Sequence, residues 1–186
     1  MKIAFVVFDG ITLLDFIGVY DPVSRLRSIQ FLPDLQWDIC AVNAEVKDNF
    51  GFTIKADKVL NDLSAYDVLI VPGGSGTRSL VKDIGFLNWL KTAANVPLKC
   101  SVCTGSLLLG AAGFLEGKKA TTHFGEYENL KQYGCSVQEQ KIVDDGNVIT
   151  SGAVSSSLQL GIYLANKWCG KPAEDAIRRW MDFYEN

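Results

Sequence analysis

Val96-Pro-Leu-Lys-Cys-Ser-Val102, followed at once by Cys103-Thr-Gly-Ser-Leu-Leu-Leu-Gly-Ala-Ala112, is the stretch that decides the fold. Its first part is short and largely apolar, the pattern of a strand covered on both faces, and its second part carries a glycine-containing helical pattern. A strand that turns sharply into a helix at one reactive residue has the layout of a nucleophile elbow, which projects that side chain above a parallel sheet. The free N–H groups and the positive dipole end of the helix then point at the side chain. A thiol placed there is expected to be partly ionised near neutral pH and able to act as a nucleophile. Taken alone, the segment also fits a small buried cysteine closing a strand, since free cysteines are among the most buried residues.

Strand and helix patterns alternate outward from this segment. Lys2 to Phe8 is a nearly continuous apolar run, and Asp67 to Val71 is another, cut by Pro72-Gly73-Gly74-Ser75-Gly76. Trp37 to Val42 and Phe52 to Ala56 read as further strands, and Lys119 to Thr122 as a short one. Helical spacing of apolar residues runs over Leu13 to Ile29, where Pro22 is expected to kink the helix or start a new one. Helices are also expected over Gly85 to Ala94, Gly125 to Tyr133, Ala153 to Trp168 and Ala173 to Tyr184. Ser136 to Val143 and Asn147 to Thr150 read as a hairpin around Asp144-Asp-Gly146. Strands alternating with helices give an α/β protein with a mainly parallel sheet, a flavodoxin-like three-layer sandwich.

The composition narrows the function classes. At 186 residues with 48% hydrophobic content, the chain is ample for one core and short for two, so residues 1–186 read as a single domain. A net charge of −3 with no run of lysine and arginine gives no electrostatic case for nucleic acid. Lys2 to Phe8 is too short to cross a bilayer and lacks a secretory cleavage pattern, so no membrane partner is expected and the chain reads as cytoplasmic. Its five cysteines, odd in number and scattered, read as reduced thiols. Cys100 and Cys103 do have C-x-x-C spacing. With Cys100 inside the strand, however, the two lie roughly 10 Å apart, beyond the ~7 Å between Cα atoms that a disulfide tolerates.

Ligands of open α/β sheets bind beyond the carboxyl ends of the strands. Three such ends carry unusual chemistry: Asp15 in an otherwise apolar stretch after the first strand, the Pro72-Gly73-Gly74 turn, and the Cys103 elbow. Brought together they supply an acid/base, a backbone pocket and a nucleophile. Asp15 also fits a helix cap, and Gly73-Gly74 a plain tight turn. The turn is not a phosphate-binding P-loop, because no Gly-Lys-Ser/Thr follows it. His123, the one histidine, sits just past a strand end and fits either a cleft residue or a structural hydrogen-bonding one. One histidine with no Cys/His cluster argues against a zinc site.

Val71-Pro-Gly-Gly74, Val102-Cys-Thr-Gly-Ser106 and Ala120-Thr-Thr-His-Phe124 together resemble the ThiJ/PfpI superfamily, with its class I glutamine amidotransferase-like fold. Phe8-Asp-Gly-Ile-Thr-Leu-Leu-Asp15-Phe-Ile-Gly18 is similar to the branch holding isonitrile hydratase and the sensor domains of some AraC-type regulators. The resemblance runs from the first strand to the helix beginning near Ala153. It implies Cys103 as nucleophile, Asp15 as the acid that approaches the thiol, and Thr104 as a catalytic neighbour. It also implies backbone N–H groups of Gly73, Gly74 and Thr104 as oxyanion or substrate donors, and His123 as a cleft-lining residue. Thr104 stands where the peptidase-like branch has a histidine, which points away from protease and glyoxalase chemistry. The implied reaction is hydration of a small molecule, best represented by isonitrile hydration to an N-substituted formamide. No metal or organic cofactor is implied, and assembly is expected to be a homodimer. A non-catalytic sensor of small molecules or of oxidative stress is the competing reading.

Overall fold

The computed structural model describes residues 1–184; residues 185 and 186, the last two of the expected domain, lie outside the described residues. In chain order its elements are β1 (Lys2–Val6), α1 (Leu13–Ser28), β2 (Gln36–Ala41), β3 (Glu45–Lys47), β4 (Thr53–Lys55), β5 (Lys58–Val59) and β6 (Val68–Val71). There follow α2 (Thr77–Leu80), α3 (Ile84–Lys91), β7 (Leu98–Val102), α4 (Gly105–Ala111), β8 (Lys119–Ala120), α5 (Tyr127–Lys131) and β9 (Ser136–Val137). The chain closes with β10 (Ile142–Asp144), β11 (Val148–Ser151), α6 (Ser156–Cys169) and α7 (Lys171–Trp180).

A seven-stranded sheet has the order β10-β11-β7-β6-β1-β2-β5. All its pairings are parallel except β10 with β11. The apolar runs explain the centre: every residue of β6 and β7, and all of β1 after Lys2, is buried, as strands covered by helices on both faces must be. Helices α1, α6 and α7 pack against one another, while α4 contacts α2 and α5. The sandwich is flavodoxin-like, as the alternation implies. The chain lays β2 on one side of β1 and β6 then β7 on the other, so the strand order reverses beside β1. The loops leaving β1, β6 and β7 therefore meet at a switch point.

Two local expectations change, and two further features were not anticipated. Helix α1 runs unbroken through Pro22, which packs against Gly161 of α6, where an added Cβ would stand 2.5 Å from the Pro22 ring. The stretch Ser136 to Val143 is two strands, not one: β9 pairs with β8 in a small parallel sheet, and only β10 forms the hairpin with β11. Strand β3, with a single buried residue in Val46, was too short to show an alternation, yet it pairs with β4 as a hairpin. The aromatic residues of α1, Phe16 and Tyr20, pack inward. Phe16 is buried, and together with Phe5 and Trp37 the two rings form a cluster with centroids 5.4–5.7 Å apart. The exposed apolar residues of α1 are instead Leu14 and Ile17.

Candidate active site

Cys103 follows the last residue of β7 with φ at +53°, a left-handed conformation that L-residues adopt only under constraint. The constraint is visible on both sides. The Cys103 N–H donates to the carbonyls of Ser151 (3.0 Å) and Gly152 (2.9 Å). Its carbonyl accepts from the hydroxyls of Ser106 (3.1 Å) and Thr122 (3.0 Å). Strain of about 1–3 kcal/mol at one residue persists where the surroundings over-determine the conformation in this way. The geometry is that of the elbow expected from the sequence.

Asp15 lies in the first turn of α1, completely buried. It is not the helix cap; that position belongs to Thr12, and the Asp15 carboxyl turns outward to accept the Gly73 N–H on Oδ2 at 3.0 Å. Oδ1 is buried and has no hydrogen-bond partner among the described residues. The Cys103 thiol lies beside this carboxyl, close enough for each group to alter the other's proton affinity. Burial lifts Asp15 from 3.8 to about 6, against the opposing pull of the Gly73 N–H and the Cys103 thiol. Burial also pushes the Cys103 thiol up to about 12, and the negative charge of Asp15 adds to the rise. The expectation of a partly ionised thiol at neutral pH is therefore overturned. The Thr104 N–H and hydroxyl favour the thiolate, but desolvation and the neighbouring carboxylate outweigh them.

Thr104 and the two glycines complete the pocket. The Thr104 hydroxyl accepts the Gly74 N–H at 3.0 Å and has the Gly74 carbonyl at 3.2 Å. A Cβ on Gly73 would stand 2.7 Å from the Thr104 nitrogen and 2.8 Å from both Asp15 Oδ2 and Thr104 Oγ1, so only glycine fits at this crossing. Gly74 has φ at +142° and packs onto the backbone of residues 10–12, a conformation glycine alone adopts without cost. The amides of Gly73 and Gly74 thus already hold Asp15 and Thr104. Either would have to release its present partner to serve a developing anion, whereas the Thr104 N–H faces the sulfur directly.

His123 is half-buried; its Nδ1 accepts the Gly125 N–H at 3.1 Å and its ring stacks on Phe124 at 4.3 Å. Its hydrogen bond therefore goes into its own turn and not to Cys103 or Asp15. The neighbour Thr122 makes the direct link to the elbow, which no spacing in the sequence signalled. Cys100 sits in mid-strand between Ile70 and Ile149, and both it and Cys103 are free thiols. Among the described residues, no group of three or more His, Cys, Asp or Glu side chains is placed to hold a metal ion. No described helix is long and apolar enough to cross a membrane.

With this geometry in view, the sequence profile of the DJ-1/PfpI family matches residues 1–167. The chain belongs to the DJ-1/PfpI family. It is 32% identical over 185 residues to isonitrile hydratase of Pseudomonas putida, an alignment covering 98% of this chain and 78% of that protein. A ThiJ/PfpI family protein from Pseudomonas syringae superposes with a TM-score of 0.88 at 28% identity, covering 100% of this chain and 76% of the other. Drosophila melanogaster DJ-1beta shares the fold, with a TM-score of 0.84 at 19% identity over 99% of this chain and 98% of its own. Family membership covers proteins of diverse activity, so chemistry has to be argued from the site.

Proposed function

We propose that the protein is a cysteine-dependent hydratase of a small, electrophilic substrate, with isonitrile hydration as its reaction. The observation that carries this reading is the buried pair of Asp15 and Cys103, which holds one proton between a carboxyl that titrates near 6 and a thiol that titrates near 12. At neutral pH that proton rests on sulfur and Asp15 is mainly ionised. The sequence-based expectation of Asp15 as the initial donor is modified accordingly: Asp15 first takes the thiol proton and then delivers it.

In the first step sulfur attacks the terminal carbon of R–N≡C while the proton, relayed by Asp15, goes to that same carbon, giving the thioimidate R–N=CH–S–Cys103. In the second step Asp15 takes a proton from water as hydroxide adds to the carbon, and passes it to the nitrogen. The tetrahedral R–NH–CH(OH)–S–Cys103 then collapses, the C–S bond breaking as Asp15 carries the hydroxyl proton to sulfur. The products are R–NH–CHO and the regenerated thiol, so atoms and protons balance across the cycle. With Oδ2 held by the Gly73 N–H, Oδ1 is the oxygen left to carry the proton. The Thr104 N–H steadies the sulfur as charge passes through it. His123 is assigned to the wall of the cleft. Relationship to an isonitrile hydratase over nearly the whole chain supports the choice of substrate class.

The test is to incubate the protein with cyclohexyl isonitrile and follow N-cyclohexylformamide by chromatography. Turnover is expected in buffer without added metal or cofactor. A rise in melting temperature with the isonitrile but no formamide would replace the hydratase with a sensor. A homodimer belongs to the same reading, since Leu14 and Ile17 expose 56% and 40% of their surface on the helix that carries Asp15. Sedimentation velocity is expected to give twice the 20.4 kDa chain mass, and substitution of Leu14 by glutamate to shift the boundary toward the monomer.

A further inference from the structure

Asp15 is shorter than glutamate, so its carboxyl reaches the thiol only if the backbone of α1 is brought close to the elbow and kept there. Two features where α1 crosses α6 do this. On α1, Gly18 leaves a notch one turn beyond Asp15; a Cβ there would overlap Ser157 Oγ and stand 2.7 Å from Ser157 Cβ. From α6, Ser157 fills the notch, and its hydroxyl donates to the Leu14 carbonyl at 3.2 Å, sharing its proton with the Val154 carbonyl at 2.7 Å. The Leu14 carbonyl belongs to the same peptide unit as the Asp15 nitrogen, so this contact grips α1 at the residue that carries the carboxyl. Ser157 is itself 1% exposed, which removes solvent as a competitor for the bond.

We infer that Ser157, seated against Gly18, is a positioning residue that sets the distance of the Asp15 carboxyl from the Cys103 thiol. The assignment rests on Asp15 and Cys103 being the working pair. Ser157 touches neither; it acts through the Leu14–Asp15 peptide. Misplacement of a catalytic group by about 1 Å costs on the order of 10²-fold in rate, and while the Gly73 N–H holds Oδ2, the distance of Oδ1 from the sulfur follows where α1 places the residue.

The experiment compares Gly18→Ala, Ser157→Gly and the double variant, in which the methyl added to α1 enters the space vacated on α6. Two readouts are taken: isonitrile hydration, and the pH dependence of Cys103 alkylation by iodoacetamide, with Asp15→Asn as control. In the wild type the alkylation profile is expected to carry an inflection from Asp15 that the control lacks. Gly18→Ala is expected to move that inflection and to lower hydration by about 10²-fold. Ser157→Gly, which removes the hydroxyl that holds the Leu14 carbonyl, is expected to move the inflection and lower hydration by about tenfold or more. The double variant, which relieves the clash at Gly18 but still lacks that hydroxyl, is expected to stay displaced. A Gly18→Ala or Ser157→Gly protein that keeps the wild-type profile, or a double variant that recovers it, overturns the assignment. So does a wild-type profile identical to that of Asp15→Asn. If Gly18→Ala does not fold, Ser157→Gly alone decides. If the wild type hydrates no isonitrile, the substrate reading falls, while the alkylation profiles still judge Ser157.

Discussion

Replacing Cys103 with alanine is expected to bring isonitrile hydration down to background, a loss of roughly 10⁴–10⁶-fold as for other enzymes stripped of their nucleophile. The structure explains why serine would not rescue it. The sulfur is buried against a carboxylate, so charge on it is disfavoured, and the thiol is already pushed up to about 12. An alcohol in the same place starts several units higher and meets the same desolvation, so Asp15, titrating near 6, could not take its proton. The fold should survive the loss, because the elbow is held by main-chain groups: the Cys103 N–H to Ser151 and Gly152, and its carbonyl to Ser106 and Thr122. Initial rates of formamide formation with wild type, Cys103→Ala and Cys103→Ser, alongside circular dichroism, check both halves. Residual hydration by a folded Cys103→Ala protein above about one hundredth of wild type would remove sulfur from the mechanism.

How much of this was legible beforehand depends on the range of the interaction. The buried strands announced themselves because a strand covered on both faces is largely apolar: β6 is so throughout, and β7 is so apart from Lys99 and Ser101. Cys103 announced itself because an elbow is local: strand, turn residue and helix are contiguous in sequence. Asp15 stood out as one charge in an apolar run, although whether it capped a helix or entered a site was open until its carboxyl was seen to accept the Gly73 N–H, 58 residues away in sequence. What could not be read was set by three-dimensional neighbours. The thiol's proton affinity follows from desolvation and from a carboxylate on α1, not from the helix it precedes. The occupation of the Gly73 and Gly74 amides, the grip of Ser157 on Leu14, and the tie from Thr122 to the elbow are all contacts between distant segments of small polar residues. Such residues carry no periodicity that marks them. Pro22 shows the converse: the local rule allows a fresh helix start there, yet α1 continues through it with the Pro22 ring packed at Gly161 of α6.

Asp15→Asn is expected to make the protein more stable and almost inactive at once. A carboxyl lifted from 3.8 to about 6 by burial is one the folded state holds more readily protonated than the unfolded chain does. Between those two values the native protein binds more protons than the unfolded one, so its stability falls as pH rises, and the whole penalty is present above about pH 6. A shift of this size corresponds to roughly 2–3 kcal/mol. Asparagine is neutral at every pH, can still accept the Gly73 N–H through its amide oxygen, and escapes that penalty. At pH 8 its melting temperature should exceed that of wild type by about 5 °C or more for a chain of this length, and the gap should close as pH falls below 4. Activity should move oppositely. With no base to take the thiol proton, hydration by Asp15→Asn is expected to fall by about 10²–10⁴-fold. The wild-type rate should climb between pH 5 and 7 as Asp15 ionises, a limb the variant lacks. Thermal unfolding of both proteins at pH 4 and pH 8, beside rate profiles over pH 5–9, measures the two effects separately. Equal melting temperatures at pH 8 would mean that the buried carboxylate carries no cost. A wild-type rate flat from pH 5 to 7 would mean that it does no proton work. Both outcomes as expected would identify the unpaired, buried Oδ1 of Asp15 as stability given up for chemistry, since an amide at the same position keeps the fold and loses the reaction.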